Sequence, residues 1–333
     1  MTSATPNQLA ELAKLWPIEE IKPRHRVITD NDYSGDPDGL VQLAHHLLSP
    51  DVEIRAVLGT HLREGDAWNG PGDTAAYAVE AAQKIVDLCG LNGKVPVIKG
   101  SAKKIADTQT PADSDAARFI VQEAMREDTD LPLFVVCGAS LTEIASAYLM
   151  EPRIADRLTV VWIGGGEHAE LAPTPKGAPV MEYNLDQDID AGQVVFNHSN
   201  LVVWQVPRDR YRQVLASRAE MITRMATAGE LGRYLFESLG KVNSMIAQMG
   251  MSAGEAYALG DSPLVLLTTL QSAFEPDTAG SIWVTKPCPT LNRDGSYTEN
   301  PAGRPLRVYT RLDVRGLLED LYAKLALHAA GVR

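Results

Sequence analysis

The strongest constraint on the fold is the alternation of short apolar strands with helical stretches. The continuous apolar run Leu133–Cys137 and the strands predicted at Val52–Gly59 and Leu158–Ile163 alternate with stretches whose apolar residues recur at helical spacing. Strands that are apolar throughout are buried on both sides, and parallel neighbours need crossover helices. The sequence therefore predicts an open α/β fold, with a largely parallel central sheet covered by helices on both faces.

Further elements extend this arrangement. Five more strands are predicted, at Val27–Thr29, Val95–Ile98, Leu201–Val206, Ile282–Val284 and Arg307–Thr310. The stretch from Pro207 to Gly260 is predicted to be wholly helical, a helical insert whose recurring methionines we interpret as core. We expect residues 1–24 to form an N-terminal helical extension and residues 25–330 to form one domain.

Composition narrows the class of protein. The chain has 333 residues, 45% of them apolar, so it can bury a large core. A net charge of −12 argues against nucleic-acid binding, and no run is long enough to span a membrane. No signal peptide is apparent, and three widely spaced cysteines suggest reduced core thiols. We therefore expect a cytoplasmic protein whose partners are small molecules.

A crowded acidic stretch follows the first strand. Asp30, Asp32, Asp36 and Asp38 lie within nine residues, around a turn that contains Gly35 and Pro37 and precedes a helix. Carboxylates this close repel one another, so they hold protons or surround a cation. Ligation by oxygen alone points to Ca²⁺ or Mg²⁺. The structural alternative is that the last two acids only cap the helix.

Other polar or glycine-rich segments also follow predicted strands. These are the loop from His61 to Gly72, the turn from Ser140 to Glu143 and the glycine run at Gly164. Ligands of open α/β sheets bind at the carboxyl ends of the strands, so we expect these segments to converge on one site. The histidines His61, His168 and His198 lack metal-type spacing and are predicted to be solvated loop residues.

Four segments in the same order resemble the calcium-dependent nucleoside hydrolases, the inosine/uridine-preferring superfamily. They are DNDYSGDPDGL, CGASLTEIASAYLMEPRIADRLTVVWIGGG, VMEYNLDQDIDAGQVVF and ALGDSPL, and they span Val27 to Leu264. Each segment alone is a weak signal, but their shared order makes chance similarity improbable. The resemblance also implies a homodimer or homotetramer.

The resemblance implies a Ca²⁺ site. Asp32 would bind the metal and orient or deprotonate the attacking water, Thr142 would contribute its backbone carbonyl, and Asp261 would complete the coordination. Gly39 stands where the family has a further acidic ligand, so Asp36 or Asp38 is the candidate replacement.

The resemblance also implies a sugar site. Asp38 would hold ribose hydroxyls, and Glu182 and Asn184 would bind the sugar. His61 lies near the position of a family asparagine and is a further candidate contact, whereas Gly260 stands where the family often has a histidine that assists the leaving group.

These features predict a metal-dependent hydrolase of the N-glycosidic bond of a ribonucleoside or a related small riboside, giving free sugar and base. Three alternatives stay open. They are a hydrolase of a non-nucleoside glycoside, a catalytically degenerate protein that binds a sugar or nucleoside, and a phosphatase of the haloacid dehalogenase kind that uses Ser140.

Overall fold

An eight-stranded sheet forms the centre of the molecule in the computed structural model, which describes residues 5–68, 72–252, 254–270, 272, 274 and 281–332. Part of the predicted loop from His61 to Gly72, residues 69–71, lies outside the described residues. The described strands are β1 (His25–Asn31), β2 (Val52–Gly59), β3 (Val97–Lys99), β4 (Leu133–Cys137), β5 (Leu158–Ile163), β6 (Val202–Val206), β7 (Leu215–Ser217), β8 (Ala256–Ala258), β9 (Ile282–Pro287), β10 (Thr290–Leu291), β11 (Tyr297–Thr298) and β12 (Pro305–Arg311). Eight of them form this sheet, whereas β7-β8 and β10-β11 form two small sheets.

Helices connect most of these strands. They are α1 (Pro6–Ala13), α2 (Asp38–Leu47), α3 (Thr74–Leu88), α4 (Asp115–Ala124), α5 (Thr142–Met150), α6 (Tyr183–Gln187), α7 (Ile189–Asn197), α8 (Arg208–Tyr211), α9 (Arg218–Glu220), α10 (Gly229–Gln248), α11 (Pro263–Thr268) and α12 (Val314–Ala329). Short 3₁₀ turns at Ile18–Glu20 and Pro152–Asp156 and a π-helical turn at Met221–Met225 complete the described elements.

The strand order of the main sheet is β3-β2-β1-β4-β5-β6-β12-β9. All neighbours are parallel except β9, which pairs antiparallel with β12 at one edge. The predicted α/β architecture is confirmed. Asp30 of β1 pairs with Leu58 of β2 and Cys137 of β4, so these three strands end at the same level. Their exits form a common rim.

Two apolar cores lie on opposite faces of the sheet. In β4, Phe134 and Val136 belong to the core that contains residues of α2, α3, α11 and α12, whereas Val135 and Cys137 belong to the core that contains residues of α4, α5 and α7. Alternate residues of a strand point to opposite faces, so a continuous apolar strand serves both cores.

The prediction that the insert is wholly helical is wrong. Its ends form a two-stranded antiparallel ribbon, in which Ala216 of β7 pairs with Tyr257 of β8. Each strand has only three residues, too short for the alternation that reveals a strand. The methionines divide: Met221 and Met225 are buried in the core, whereas Met249 and Met251 are exposed.

The N-terminal segment contains one short helix, α1, whose first turn is closed by a capping box at Thr5. The helix has no buried residue, and Leu15 and Trp16 beyond it are exposed. The division into an extension and one domain, and the homodimer or homotetramer, stay predictions. All three cysteines are buried and free. Among the described helices none is long and apolar enough to cross a membrane.

A buried polar chain runs beneath the end of β1. Asn31 Nδ2 donates to Gln42 Oε1 at 3.4 Å, the Gln42 amide nitrogen contacts Nδ1 of His46, and His46 Nε2 contacts Thr268 Oγ1 at 2.9 Å. The Thr268 hydroxyl donates to Leu264 O at 2.7 Å, so a neutral His46 that donates from Nε2 satisfies every contact. Burial, and then the positive charges nearby, lower the pKa of His46 from 6.5 to about 3.

Two interior glycines of α10, Gly232 and Gly240, provide a matched stability test. A Cβ at Gly232 would overlap the carbonyl oxygen of Met225, whereas a Cβ at Gly240 meets no atom within 4 Å. We expect Gly232→Ala to lower the free energy of unfolding by about 1–3 kcal/mol. Gly240→Ala should raise it by about 0.5–1 kcal/mol, because alanine favours the helix. Chemical denaturation measures both, and equal effects at the two positions would refute the described packing.

His46 predicts how stability depends on pH. Its pKa is lower in the folded state than in the unfolded chain, so the unfolded chain takes up the proton first as the pH falls below 6.5. The unfolding free energy of the parent protein should therefore fall relative to that of His46→Gln by about 1.4 kcal/mol per pH unit, from pH 6.5 towards 3. Denaturation curves across this range test it, since other titrating groups cancel in the difference. Parallel stability profiles would contradict the prediction.

Candidate active site

Four acids form the centre of the site, and we call Asp32, Asp36, Asp38 and Asp261 the acidic cluster. Asp38 begins α2 and Asp261 lies two residues before α11, more than two hundred positions later in the chain. The backbone N–H of Asp261 donates to Asp38 Oδ2 at 3.1 Å. Asn31 Nδ2 donates to Asp261 Oδ2 at 2.9 Å. The fold therefore brings the early acids and the late acid together at the rim of the sheet.

Local geometry explains how the early acids are presented. β1 ends at Asn31, whose side-chain oxygen accepts a hydrogen bond from the N–H of Asp32. Gly35 N donates to Asp32 O at 2.6 Å and closes a tight turn, where a Cβ on Gly35 would lie 3.1 Å from that oxygen. Pro37 then precedes α2. The chain thus reverses within seven residues of the strand end.

Three of the four acids in the cluster are buried, and the pKa values of all four are raised. Asp32, Asp38 and Asp261 are each less than a tenth exposed. Burial and then the charge of Asp261 raise the pKa of both Asp32 and Asp38. Burial, together with the charges of Asp36 and Glu182, raises the pKa of Asp261 to about 7 although Asn31 opposes the rise. Within the described residues, no lysine or arginine forms an ion pair with these acids.

A second pair of acids lies deeper in the protein. Asp30 is 1% exposed, and neither of its carboxylate oxygens has a hydrogen-bond partner among the described residues. Burial and the charge of Glu143 raise its pKa. Glu143 is better satisfied, because it accepts hydrogen bonds from Ser101 N at 2.7 Å and from the Ser114 hydroxyl. Asp30 and Glu143 therefore add two buried acids to those of the cluster.

Glu182 lies near enough to Asp261 for its charge to raise the pKa of that acid. It caps α6, and its Oε2 accepts from Gly165 N at 2.8 Å and Leu185 N at 3.1 Å. Its Oε1 accepts from the Tyr211 hydroxyl at 2.7 Å. The glycine run that follows β5 therefore reaches the site through a backbone N–H, as its position at a strand exit predicted.

Two other predicted residues have side chains that bind elsewhere. Asn184 Nδ2 donates to the carbonyl oxygens of Gly138 at 2.9 Å and Ile163 at 2.8 Å, so it ties the exits of β4 and β5 together. The Thr142 hydroxyl donates to Asp188 at 2.6 Å. The Thr142 hydroxyl is therefore already engaged, and the backbone carbonyl is the group that the resemblance implies as a metal ligand.

The prediction that His61, His168 and His198 are solvated is wrong at two of the three positions. His61 and His168 are buried, and only His198 is exposed. His168 Nε2 contacts Gln205 Oε1 at 2.9 Å, and its ring stacks on Tyr297. Loop histidines become buried when the loop folds back over the sheet, and the sequence around them gave no sign of this.

His61 lines a cavity of about 1,090 Å³ together with Arg63, Asp66 and Gln187. Burial lowers its pKa to about 4, so it is neutral at physiological pH. Leu62 also lines this cavity, and a Cβ built on Gly35 would lie 3.2 Å from Leu62 Cδ2 and 3.4 Å from Asp32 Cγ, so one wall of the cavity comes close to Asp32. His61 therefore faces space beside the cluster without a hydrogen bond to its acids.

Sequence reasoning missed three residues of the site. Asn31 contacts Asp261, Tyr211 contacts Glu182, and the Tyr257 hydroxyl donates to Asp36 at 2.6 Å. Asn31 stands inside the acidic stretch, which was a usable signal. Both tyrosines come from the ends of the insert, and nothing in their local sequence marks them.

The donor set fits a hard divalent cation in its chemistry. The donors are carboxylate oxygens without cationic partners, the ligands that Ca²⁺ prefers. Among the described residues, however, no group of three or more His, Cys, Asp or Glu side chains is placed to hold one metal ion. A Cβ at Gly39 would lie 2.9 Å from Asn31 Nδ2 and 3.3 Å from Asp261 Oδ2. Position 39 thus borders the cluster, and the Asn31 amide occupies adjacent space.

Comparisons with known proteins agree with this architecture. Two curated relatives, the inosine-uridine preferring nucleoside hydrolases of Crithidia fasciculata and Leishmania major, are 27% and 28% identical over 204 and 220 residues. These matches cover 54% and 58% of this chain, and it spans only about three fifths of their length, 58% and 63%.

A solved plant nucleoside hydrolase superposes with a TM-score of 0.69, covering 91% of this chain and 99% of that one at 18% identity, which shows the fold. The model of the family described as inosine-uridine preferring nucleoside hydrolase matches residues 27–298. The chain belongs to this nucleoside hydrolase family.

Proposed function

We propose that the protein is a metal-dependent hydrolase of the N-glycosidic bond of a ribonucleoside or a related small riboside, releasing free sugar and base. The observation that carries this proposal is the meeting of Asp38 and Asp261, from distant parts of the chain, at the rim of the sheet beside Glu182. Family membership supports the same reaction class.

The charge of the site suits the reaction. Cleavage of an N-glycosidic bond passes through a sugar with oxocarbenium character, which carries positive charge. A buried cluster of acids without cationic partners stabilises such charge more strongly than water does, because the surroundings are poorly polarisable. Asp38, Glu182 and Asn184 hold the sugar hydroxyls in this proposal, Asn184 through Oδ1 because its Nδ2 already donates to two backbone carbonyl oxygens.

Asp32 is the proposed catalytic residue. It directly follows β1, and the charges of Asp261 and of the cavity residue Asp66 both act on it; in this proposal its carboxylate orients the attacking water and accepts its proton. A Ca²⁺ ion would be held by Asp32, Asp261 and the Thr142 carbonyl, with Asp36 and Asp38 nearest to complete the set, and would lower the pKa of bound water.

In this proposal the departing base lies in the cavity whose wall residue Leu62 is close to Asp32. The cavity of about 1,090 Å³ is large enough for a heterocycle and includes His61, whose neutral imidazole offers one N–H donor. Position 260 carries no side chain to assist departure, so His61 is the proposed contact to the leaving group.

One observation favours a second candidate, a protein of this fold that binds a sugar or nucleoside without hydrolysing it. The Asn31 amide lies next to Gly39 and hydrogen-bonds to Asp261, and in the described structure no three acids surround one point. An incomplete ligand set would weaken the metal and leave binding intact. A hydrolase of a non-nucleoside glycoside uses the same residues and differs only in the leaving group.

Asp32→Asn tests the proposed reaction. A panel of nucleosides and simple glycosides is assayed for release of reducing sugar, with and without a chelator. The parent protein should release sugar from at least one riboside, and chelation should stop it. The variant should lose at least about a thousandfold in kcat/KM, since about 4 kcal/mol of barrier lowering is at stake.

The exposed Asp156 supplies a matched control, because Asp156→Asn changes the same group outside the site and should keep full activity. Near-normal turnover in Asp32→Asn would refute its assignment. Tight riboside binding by the parent protein without sugar release would support the binding protein instead.

A further inference from the structure

Tyr211 touches both sides of the proposed site. It ends α8, directly after β6, and its hydroxyl donates to Glu182 Oε1 at 2.7 Å. A Cβ built on Gly260 would lie 3.2 Å from Tyr211 Cδ2 and 3.3 Å from Asp38 Oδ2. The ring therefore packs against the residue that precedes Asp261, while the hydroxyl reaches across to Glu182.

The two-stranded ribbon of β7 and β8 connects the segment that contains Tyr211 with the segment that leads to Asp261. Leu259 N donates to Val214 O at 2.8 Å, and Val214 N donates to Tyr211 O at 3.1 Å. The first bond continues the ladder of β7 and β8, and the second closes the turn between Tyr211 and that ribbon. The same ribbon places the Tyr257 hydroxyl against Asp36. A shift of this ribbon would move the late acid and the phenol together.

The hydroxyl of Tyr211 is well suited to hold a carboxylate. The other two hydrogen bonds that Glu182 accepts, from Gly165 and Leu185, are both backbone bonds to Oε2. Oε1 is held by the phenol, against the repulsion between Glu182 and Asp261. Burial and the charge of Glu182 raise the pKa of Tyr211, so the hydroxyl keeps its proton and donates throughout the physiological range.

We propose that Tyr211 is a positioning residue that fixes Glu182 Oε1 relative to the acidic cluster and so sets affinity for the sugar part of the substrate. The inference rests on the proposed function, because it assigns Glu182 to the sugar. Without the hydroxyl, Oε1 is free to turn away from Asp261, and the sugar hydroxyls lose a partner in fixed position.

The test removes only the hydroxyl. Tyr211→Phe should raise KM for the riboside about tenfold and weaken binding of D-ribose, measured by calorimetry, by a similar factor. The kcat should change less than threefold, because a contact made equally to substrate and transition state affects KM alone. Tyr234→Phe, in α10 outside the site, is the matched control and should leave KM, kcat and ribose affinity unchanged.

A double-variant cycle separates positioning from general stability. In a Glu182→Gln background, Tyr211→Phe should have little further effect on KM or ribose affinity, because the group that it positions has already been changed. An equal effect in both backgrounds, or a fall in melting temperature with unchanged KM, would overturn the inference.

Different results would overturn the proposed function and the role of Tyr211. A parent protein that neither releases sugar nor binds D-ribose overturns the proposed function and this inference with it. A parent protein that does either, with a Tyr211→Phe variant that behaves the same, overturns only the inference.

Discussion

Mutual repulsion among buried carboxylates is the constraint on which the site depends. Asp261 is held beside Asp38 by its own backbone N–H and by the Asn31 amide, although both acids are nearly inaccessible to water. Like charges in such surroundings cost free energy unless protons or a cation neutralise them. A protein keeps such an arrangement where the charge serves a reaction.

The rest of the fold holds these charges in place. β1, β2 and β4 end at one level, so their exits share a rim, and two apolar cores fix the sheet from both faces. The ribbon of β7 and β8 then carries the insert back to this rim with Tyr257 and Asp261. The strands and the ribbon therefore determine where the acids lie, and the hydrogen bond from Asp261 N to Asp38 joins the late acid to the early ones.

The sequence predicts the main strands of the molecule better than its long-range side-chain contacts. The strands β2, β4 and β5 are predicted with the bounds that they have, and in β4 burial on both faces leaves a continuous apolar signal. The ribbon was missed because three-residue strands carry no period. Burial of His61 and the reach of Tyr211 to Glu182 depend on how distant segments fold over the rim, which local pattern does not encode. Gly39 was recognised as a departure, but its neighbour Asn31 emerged only from the packing.

The most direct measurement of the central claim is a calorimetric titration of the metal-free protein with Ca²⁺, repeated on Asp261→Asn. If the early and late acids form one cation site, the parent protein binds a single Ca²⁺ ion and the variant binds it at least tenfold more weakly. Absence of Ca²⁺ binding by the parent protein, or equal affinity in the variant, would contradict the account.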